Sequence, residues 1–177
     1  MWQDVHVMVY IGFGFLMVFL KTNSWSSVGI NYLLSAWAFQ LGILFMGFWH
    51  LTMKGEYAHK IDVSITALIN ADFAAAACMI TYGALLGKCD LFQLWIIITL
   101  EVFFFALNES IGIVIYSAVD IGGSMIIHAF GAIFGLAATY HFKNKEAIQQ
   151  HEWKAVGGYV SQYVAMIGTV FLYLYWP

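Results

Sequence analysis

Two ionisable side chains stand eight residues apart in the stretch DIGGSMIIHAFGAIFG, which runs from Asp120 to Gly135. Its other residues are apolar or small, so the imidazole of His128 lies within a hydrophobic segment. A neutral imidazole can donate or accept a hydrogen bond, and it exchanges its proton near neutral pH. These properties suit the handling of protons or of a small polar solute. The competing interpretation is a histidine that only hydrogen-bonds between two helices.

The start of this stretch has the signature of a helix N-terminus. Asp120 precedes Gly122 and Gly123, and its carboxylate can accept hydrogen bonds from the first backbone N–H groups. The same carboxylate at the mouth of a pore would favour a cation, so the two roles are compatible. His128 then lies about 12 Å further along the helix axis, well inside a membrane.

Small residues follow the same helical spacing as the histidine. Ser124, His128, Gly131 and Gly135 recur every three or four residues, which predicts one continuous helix face. The pair Gly131 and Gly135 lets a neighbouring backbone approach closely. We therefore predict that Ser124, Gly131 and Gly135 pack against a second helix.

Other ionisable groups also fall inside apolar segments, where a charge at the centre of a helix costs on the order of 2.5–3.5 kcal/mol. Asn70 and Asp72 are predicted to cap and pin the entry of the third segment. Glu109, near the outer end of the fourth segment, is predicted to line a vestibule. Glu101 lies deeper, and its predicted partner is either His50 or a group on another helix.

Phe73 stands before four consecutive alanines in the sequence INADFAAAACM. A single phenylalanine in a membrane helix usually faces lipid or the protein core. The very small neighbours here favour a second interpretation, in which the ring closes a passage.

The composition is that of a polytopic membrane protein. Of the 177 residues, 62% are hydrophobic and only 10% are charged, against about a quarter charged in soluble domains. The chain has no arginine and no basic run, which argues against a nucleic-acid partner. No span contains the lysine that a retinal protein needs. Neither metal-ligand spacing nor a nucleophile–base pair is evident, so we expect no metal, no cofactor and no enzymatic activity.

Apolar runs predict an all-α integral membrane fold with six spans, since about 20 residues cross a bilayer. The connecting segments are too short for a second domain, so residues 1–177 form one membrane domain. The predicted spans are residues 5–20, 28–51, 63–86, 91–117, 121–142 and 156–176.

Lysine placement predicts the orientation of the chain. Six spans put five lysines on one side and two on the other. Because cytoplasmic loops carry the excess of lysine, the N-terminus is predicted to lie outside. The five are Lys21, Lys88, Lys143, Lys145 and Lys154, and the two are Lys54 and Lys60.

Several motifs, in order and spacing, resemble the Rh glycoproteins of the ammonium transporter/Rh superfamily, from residue 3 to residue 177. They are QDVHVMVYIGFGFLMVFLK, INADF, GALLGK, FALNE, DIGGSMIIHAFGAIFG and AMIGTVFLYLYWP. The resemblance implies a multi-pass plasma-membrane protein that moves ammonium or ammonia, with CO2 also proposed, and that forms homotrimers in the lipid bilayer. Each subunit would have 11 or 12 helices in two inverted halves around a narrow hydrophobic pore.

The resemblance also implies roles for individual residues. His128 is similar to the first of two pore histidines, and Phe73 to one ring of a phenylalanine gate. Asp120 is similar to an acid that shapes the vestibule and stabilises the pore, and Glu109 to an outer-vestibule acid. The family's second histidine and second gate phenylalanine would follow Pro177. We therefore expect this chain to be the first inverted repeat plus one helix, truncated at both ends.

Two other functions remain open from the sequence. A non-conducting Rh-like scaffold would hold a partner in the membrane, although retention of His128 argues mildly against it. A membrane enzyme using histidine and carboxylate chemistry is the weakest alternative.

Overall fold

The computed structural model describes residues 1–22, 24–142 and 156–175 of the chain. The all-helical prediction is confirmed in this part. The helices are α1 (Trp2–Phe19), α2 (Ser24–Lys54), α3 (Ile65–Leu85), α4 (Leu91–Ile115), α5 (Ser124–His141) and α6 (Tyr159–Leu174).

The helix lengths agree with membrane crossing for the first five helices. Each of these has at least 18 residues and is apolar enough to span a bilayer. The apolar helix α6 has 16 residues, which is about 24 Å and shorter than a hydrocarbon core of about 30 Å. The sixth predicted span is thus a shorter helix than the sequence suggested. Lys143, Lys145 and Lys154, on which the predicted orientation depends, lie outside the described residues.

Side-chain caps fix where two of the helices begin. The Ser64 hydroxyl accepts a hydrogen bond from the Ala67 amide at the start of α3. Asp90 and Gln93 exchange side-chain and backbone hydrogen bonds at the start of α4. The predicted capping role of Asn70 and Asp72 is wrong, because Ser64 performs it and both residues lie inside α3.

Aromatic pairs hold α2 and α4 side by side and parallel. The ring centroids of Trp37 and Trp95 are 5.1 Å apart, and those of Phe45 and Phe103 are 5.5 Å apart. Both pairs have the same separation in sequence, so the two helices keep one register over this length. The Trp37 indole also donates to the Thr99 hydroxyl at 2.9 Å.

Glycines bring α5 against α3. A methyl group placed on Gly131 would lie 2.7 Å from the Ala77 carbonyl oxygen, and one on Gly135 would lie 3.1 Å from the Thr81 Cα. A side chain on Gly131 would overlap α3 and one on Gly135 would be tight against it, so both glycines lie in close contact with that helix. Ser124 does not share this contact, because it is exposed.

The remaining helices complete an alternating arrangement. The contacts of His6 with Asp72 and of Met17 with Gly83 have equal sequence separation, so α1 and α3 are parallel. α6 runs antiparallel to α1, with Leu172 against Gly12. Successive helices therefore run in opposite directions, as consecutive crossings of a membrane require.

We predict that Gly131→Ala destabilises the folded protein by about 1–3 kcal/mol, the usual cost of overpacking. The added methyl group would overlap the Ala77 carbonyl and push α5 away from α3. Thermal unfolding in detergent measures the effect.

The matched control is Gly29→Ala in α2, because no atom lies within 4 Å of a methyl group placed there. Alanine has the higher helix propensity, so this variant should unfold at the same temperature or slightly higher. Equal melting temperatures for both variants would contradict the close contact.

Candidate functional site

A cavity of about 790 Å³ lies between the helices at one end of the bundle. Its wall contains five of the residues selected from the sequence, and these come from three helices and the segment before α5. They are Phe73, Glu109, Asp120, Ser124 and His128. The other two, Gly131 and Gly135, hold the helix that carries His128 but do not line the cavity.

Asp120 fixes the beginning of α5. Its Oδ2 atom accepts hydrogen bonds from the backbone amides of Met125 at 2.9 Å and Ile126 at 2.8 Å. Gly123 makes the preceding turn possible, because its φ of +70° lies in the left-handed region that favours glycine. The Asp120 carboxylate thus accepts backbone N–H bonds at the start of the helix, as predicted, but Gly123 and not Asp120 occupies the N-cap position. Asp120 lines the cavity as well.

The first turn of α5 is wider than an α-helical turn. Residues Ser124–Ala129 form a π-helix, in which the His128 amide donates to the Gly123 carbonyl at 2.9 Å. This changes the register between the histidine and the two glycines. Ser124 and His128 are therefore exposed and line the cavity, whereas Gly131 and Gly135 are buried against α3. The single continuous face predicted from the spacing is divided in two.

Phe73 lies at the wall of the cavity, near the start of a run of buried small residues. Its ring is partly buried, while the alanines of positions 74–77 have at most 4% of their surface exposed. Phe105 of α4 lines the same cavity. The cavity wall thus includes aromatic rings from both α3 and α4.

Glu109 is buried at the cavity wall and pairs with a histidine. Its Oε2 atom lies 2.6 Å from Nε2 of His50 on α2. The sequence suggested His50 as one possible partner of Glu101, and this pairing is wrong. A turn of α-helix rises about 5.4 Å, so the eight residues between the two glutamates place Glu101 too deep for His50.

Glu101 instead belongs to a buried network at the junction of α3, α4 and α5. The Thr81 hydroxyl lies 2.5 Å from Oε1 of Glu101 and 3.1 Å from the carbonyl oxygen of Gly131. Glu101 and Thr81 are both fully buried. The network therefore joins α4 to α5 through α3, one turn below His128.

The whole chain, residues 1–177, matches the sequence model of the Ammonium Transporter Family. The chain belongs to the ammonium transporter family. Ammonium transporter Rh type B of Danio rerio is 46% identical over 175 residues, which cover 99% of this chain and 37% of that protein. Ammonium transporter Rh type C of Pongo abelii is 45% identical over 99% of this chain and 36% of that protein.

A solved structure extends this similarity to the fold of the family. Nitrosomonas europaea Rh50, of the Rhesus protein family of channels, superimposes with a TM-score of 0.82 at 32% identity. The match covers 99% of this chain and 46% of that one. The chain thus spans less than half the length of the relatives that it matches.

One pair of ionisable side chains was not predicted from the sequence, and it joins the half-exposed His6 of α1 to the buried Asp72 of α3. Nδ1 of His6 lies 2.9 Å from Oδ1 of Asp72, which is fully buried, and the His6 ring stacks on Tyr10 with centroids 4.3 Å apart. The available signal was an imidazole near the start of one apolar helix and a carboxyl group inside another. Neither residue lines the cavity. In the described part of the chain, no three histidine, cysteine or acidic side chains meet as a metal site would require.

We predict that Thr81→Val destabilises the protein by about 1–3 kcal/mol. Valine keeps the shape but removes the hydroxyl that links the buried Glu101 carboxyl group to the Gly131 carbonyl. The measurement is thermal unfolding in detergent.

Thr169→Val is the matched control, because Thr169 is exposed and its hydroxyl donates to the Ala165 carbonyl of its own helix. That change should stay within about 0.5 kcal/mol of the wild type. If Thr81→Val is as stable as this control, the buried network of Thr81 does not contribute to the stability of the protein.

Proposed function

We propose that the intact protein moves ammonium or ammonia across the plasma membrane through a hydrophobic pore at this cavity. The observation that carries the proposal is the meeting of five residues from distant parts of the chain at one cavity. Phe73 and His128 are more than 50 residues apart in sequence, yet both line it. The names of the relatives, ammonium transporters of Rh types B and C, supply the solute.

The charges at the cavity suit recruitment of a cation. The carboxyl groups of Glu109 and Asp120 both line the wall. Clefts lined by one sign of charge raise the local concentration of the opposite ion. Ammonium would gather here, while an apolar path beyond would pass the neutral ammonia, which is far less costly to desolvate.

The remaining residues suit the handling of the desolvated solute. Phe73 would narrow the entry and exclude hydrated ions. Beyond it, the His128 imidazole would exchange one hydrogen bond with ammonia, since its ring nitrogens can donate or accept. We also propose that CO2 passes along the same path as a second solute.

Inverted-repeat transporters place the solute site between their two halves. Ser124 and His128 are exposed in this chain, which is consistent with a facing wall that covers them. A homotrimer with the N-terminus of this chain outside completes the proposed arrangement.

Methylammonium uptake into cells that produce the intact protein tests the proposal. We expect His128→Ala to reduce uptake at least tenfold, because the desolvated solute loses a hydrogen-bonding partner worth about 1.4 kcal/mol or more. His141→Ala is the control, since His141 ends the same helix but does not line the cavity.

The uptake of the variants and of the wild type tests two different statements, the role of His128 and transport itself. Equal uptake by both variants would remove His128 from the mechanism. A wild-type protein that reaches the membrane and shows no uptake would contradict transport and favour the scaffold.

A second pair of variants separates the two roles of Asp120. Asparagine has one carbonyl oxygen, and a single oxygen of Asp120 accepts both amide hydrogen bonds. We therefore expect Asp120→Asn to fold normally and to lose uptake through the missing charge. Asp120→Ala should also lose about 0.5–2 kcal/mol of stability, as removal of a cap does. Melting temperature and uptake, measured on the same preparations, distinguish the two effects.

A further inference from the structure

The register of α2 and α4 places a histidine of α2 against a glutamate that lines the cavity. The aromatic pairs Trp37–Trp95 and Phe45–Phe103 set this register deep in the bundle. Trp49 continues it, with its ring 5.3 Å from that of Phe103. His50, the next residue, then lies level with Glu109 of α4.

The contact between the two side chains is short, and the histidine is more exposed to solvent than the glutamate. Nε2 of His50 is 2.6 Å from Oε2 of Glu109, and the His50 side chain keeps 28% of its surface exposed. Only 3% of Glu109 is exposed, and Glu109 lines the cavity. Among the residues that the structure describes, no other hydrogen bond reaches this carboxyl group. His50 therefore determines how the carboxyl group is turned.

Because the hydrogen-bond donor is an imidazole, it affects the net charge of the site. A carboxylate only accepts hydrogen bonds, so Nε2 of His50 donates. A neutral imidazole can hold one oxygen and leave the negative charge on the glutamate, whereas a lysine in its place would cancel that charge. The second oxygen, Oε1, then remains for a cation in the cavity.

We propose that His50 is a positioning residue for cation recruitment. It holds Oε2 of Glu109 so that Oε1 faces the cavity and binds ammonium or a small protonated amine. This inference rests on the proposed function of the cavity, and it assigns the affinity for the cation to a residue that does not touch it.

The first experiment measures ammonium and methylammonium transport by the intact protein at fixed pH and separates KM from the maximal rate. We expect His50→Leu to raise KM roughly tenfold, as expected for the loss of one hydrogen bond to a charged group, with little change in the maximal rate. His50→Gln should restore most of the affinity, because its amide nitrogen reaches the position of Nε2. His50→Asn should not, because its amide nitrogen corresponds to Nδ1.

The second experiment is a double-mutant cycle with Glu109→Gln. If His50 acts only through the Glu109 carboxylate, then His50→Leu should raise KM in the wild-type background and leave it unchanged in Glu109→Gln. Surface abundance and size-exclusion profiles of each variant confirm that comparisons are made between folded proteins. If His50→Leu fails to fold, the Gln and Asn variants decide the question.

The outcomes separate this inference from the proposed function. An unchanged KM in His50→Leu, an equal effect of His50→Leu in both backgrounds, or equal KM values for the Gln and Asn variants would overturn the role of His50. A wild-type protein without ammonium transport would overturn the proposed function and this inference with it.

Discussion

The arrangement of the helices depends on one constraint, which is that an ionisable side chain in a membrane needs a polar partner from the protein itself. Three buried carboxyl groups meet this constraint with a group on another helix. Asp72 of α3 pairs with His6 of α1, Glu109 of α4 with His50 of α2, and Glu101 of α4 with Thr81 of α3. Each pair fixes the relative height of two helices. Together with the aromatic pairs between α2 and α4, they keep the helices from sliding past one another.

The cavity follows from this arrangement together with close packing. Glycine and alanine draw α5 onto α3, and the Thr81 network ties the same two helices to α4. Large side chains, Phe73 and Phe105 among them, line the space where the small ones end. A polar wall forms there because the cap of α5 and the end of α4 lie at the same level.

Much of the fold was predictable from the sequence, because its signals are local. Apolar segment lengths predicted the helices, and small residues spaced four apart predicted that Gly131 and Gly135 pack against some neighbouring helix, which the structure identifies as α3. The cap at Asp120 was also local. The pairs of ionisable groups were not predictable, since periodicity says nothing about which helices are neighbours. No partner was therefore predicted for His6. His50 was given as one possible partner of Glu101, whereas it pairs with Glu109. The π-helical turn at Ser124 was equally invisible, because its residues fit an α-helical pattern.

The matched register of α2 and α4 also restricts how this sequence can change in length. A helix turns about 100° per residue, so one residue inserted between Trp37 and His50 would rotate every later side chain of α2 away from its partner on α4. The same insertion in residues 56–63, between α2 and α3, would leave these contacts intact. Differences in length between related chains should therefore collect in the connecting segments, while α2 and α4 keep a fixed number of residues between their aromatic contacts and the glutamate.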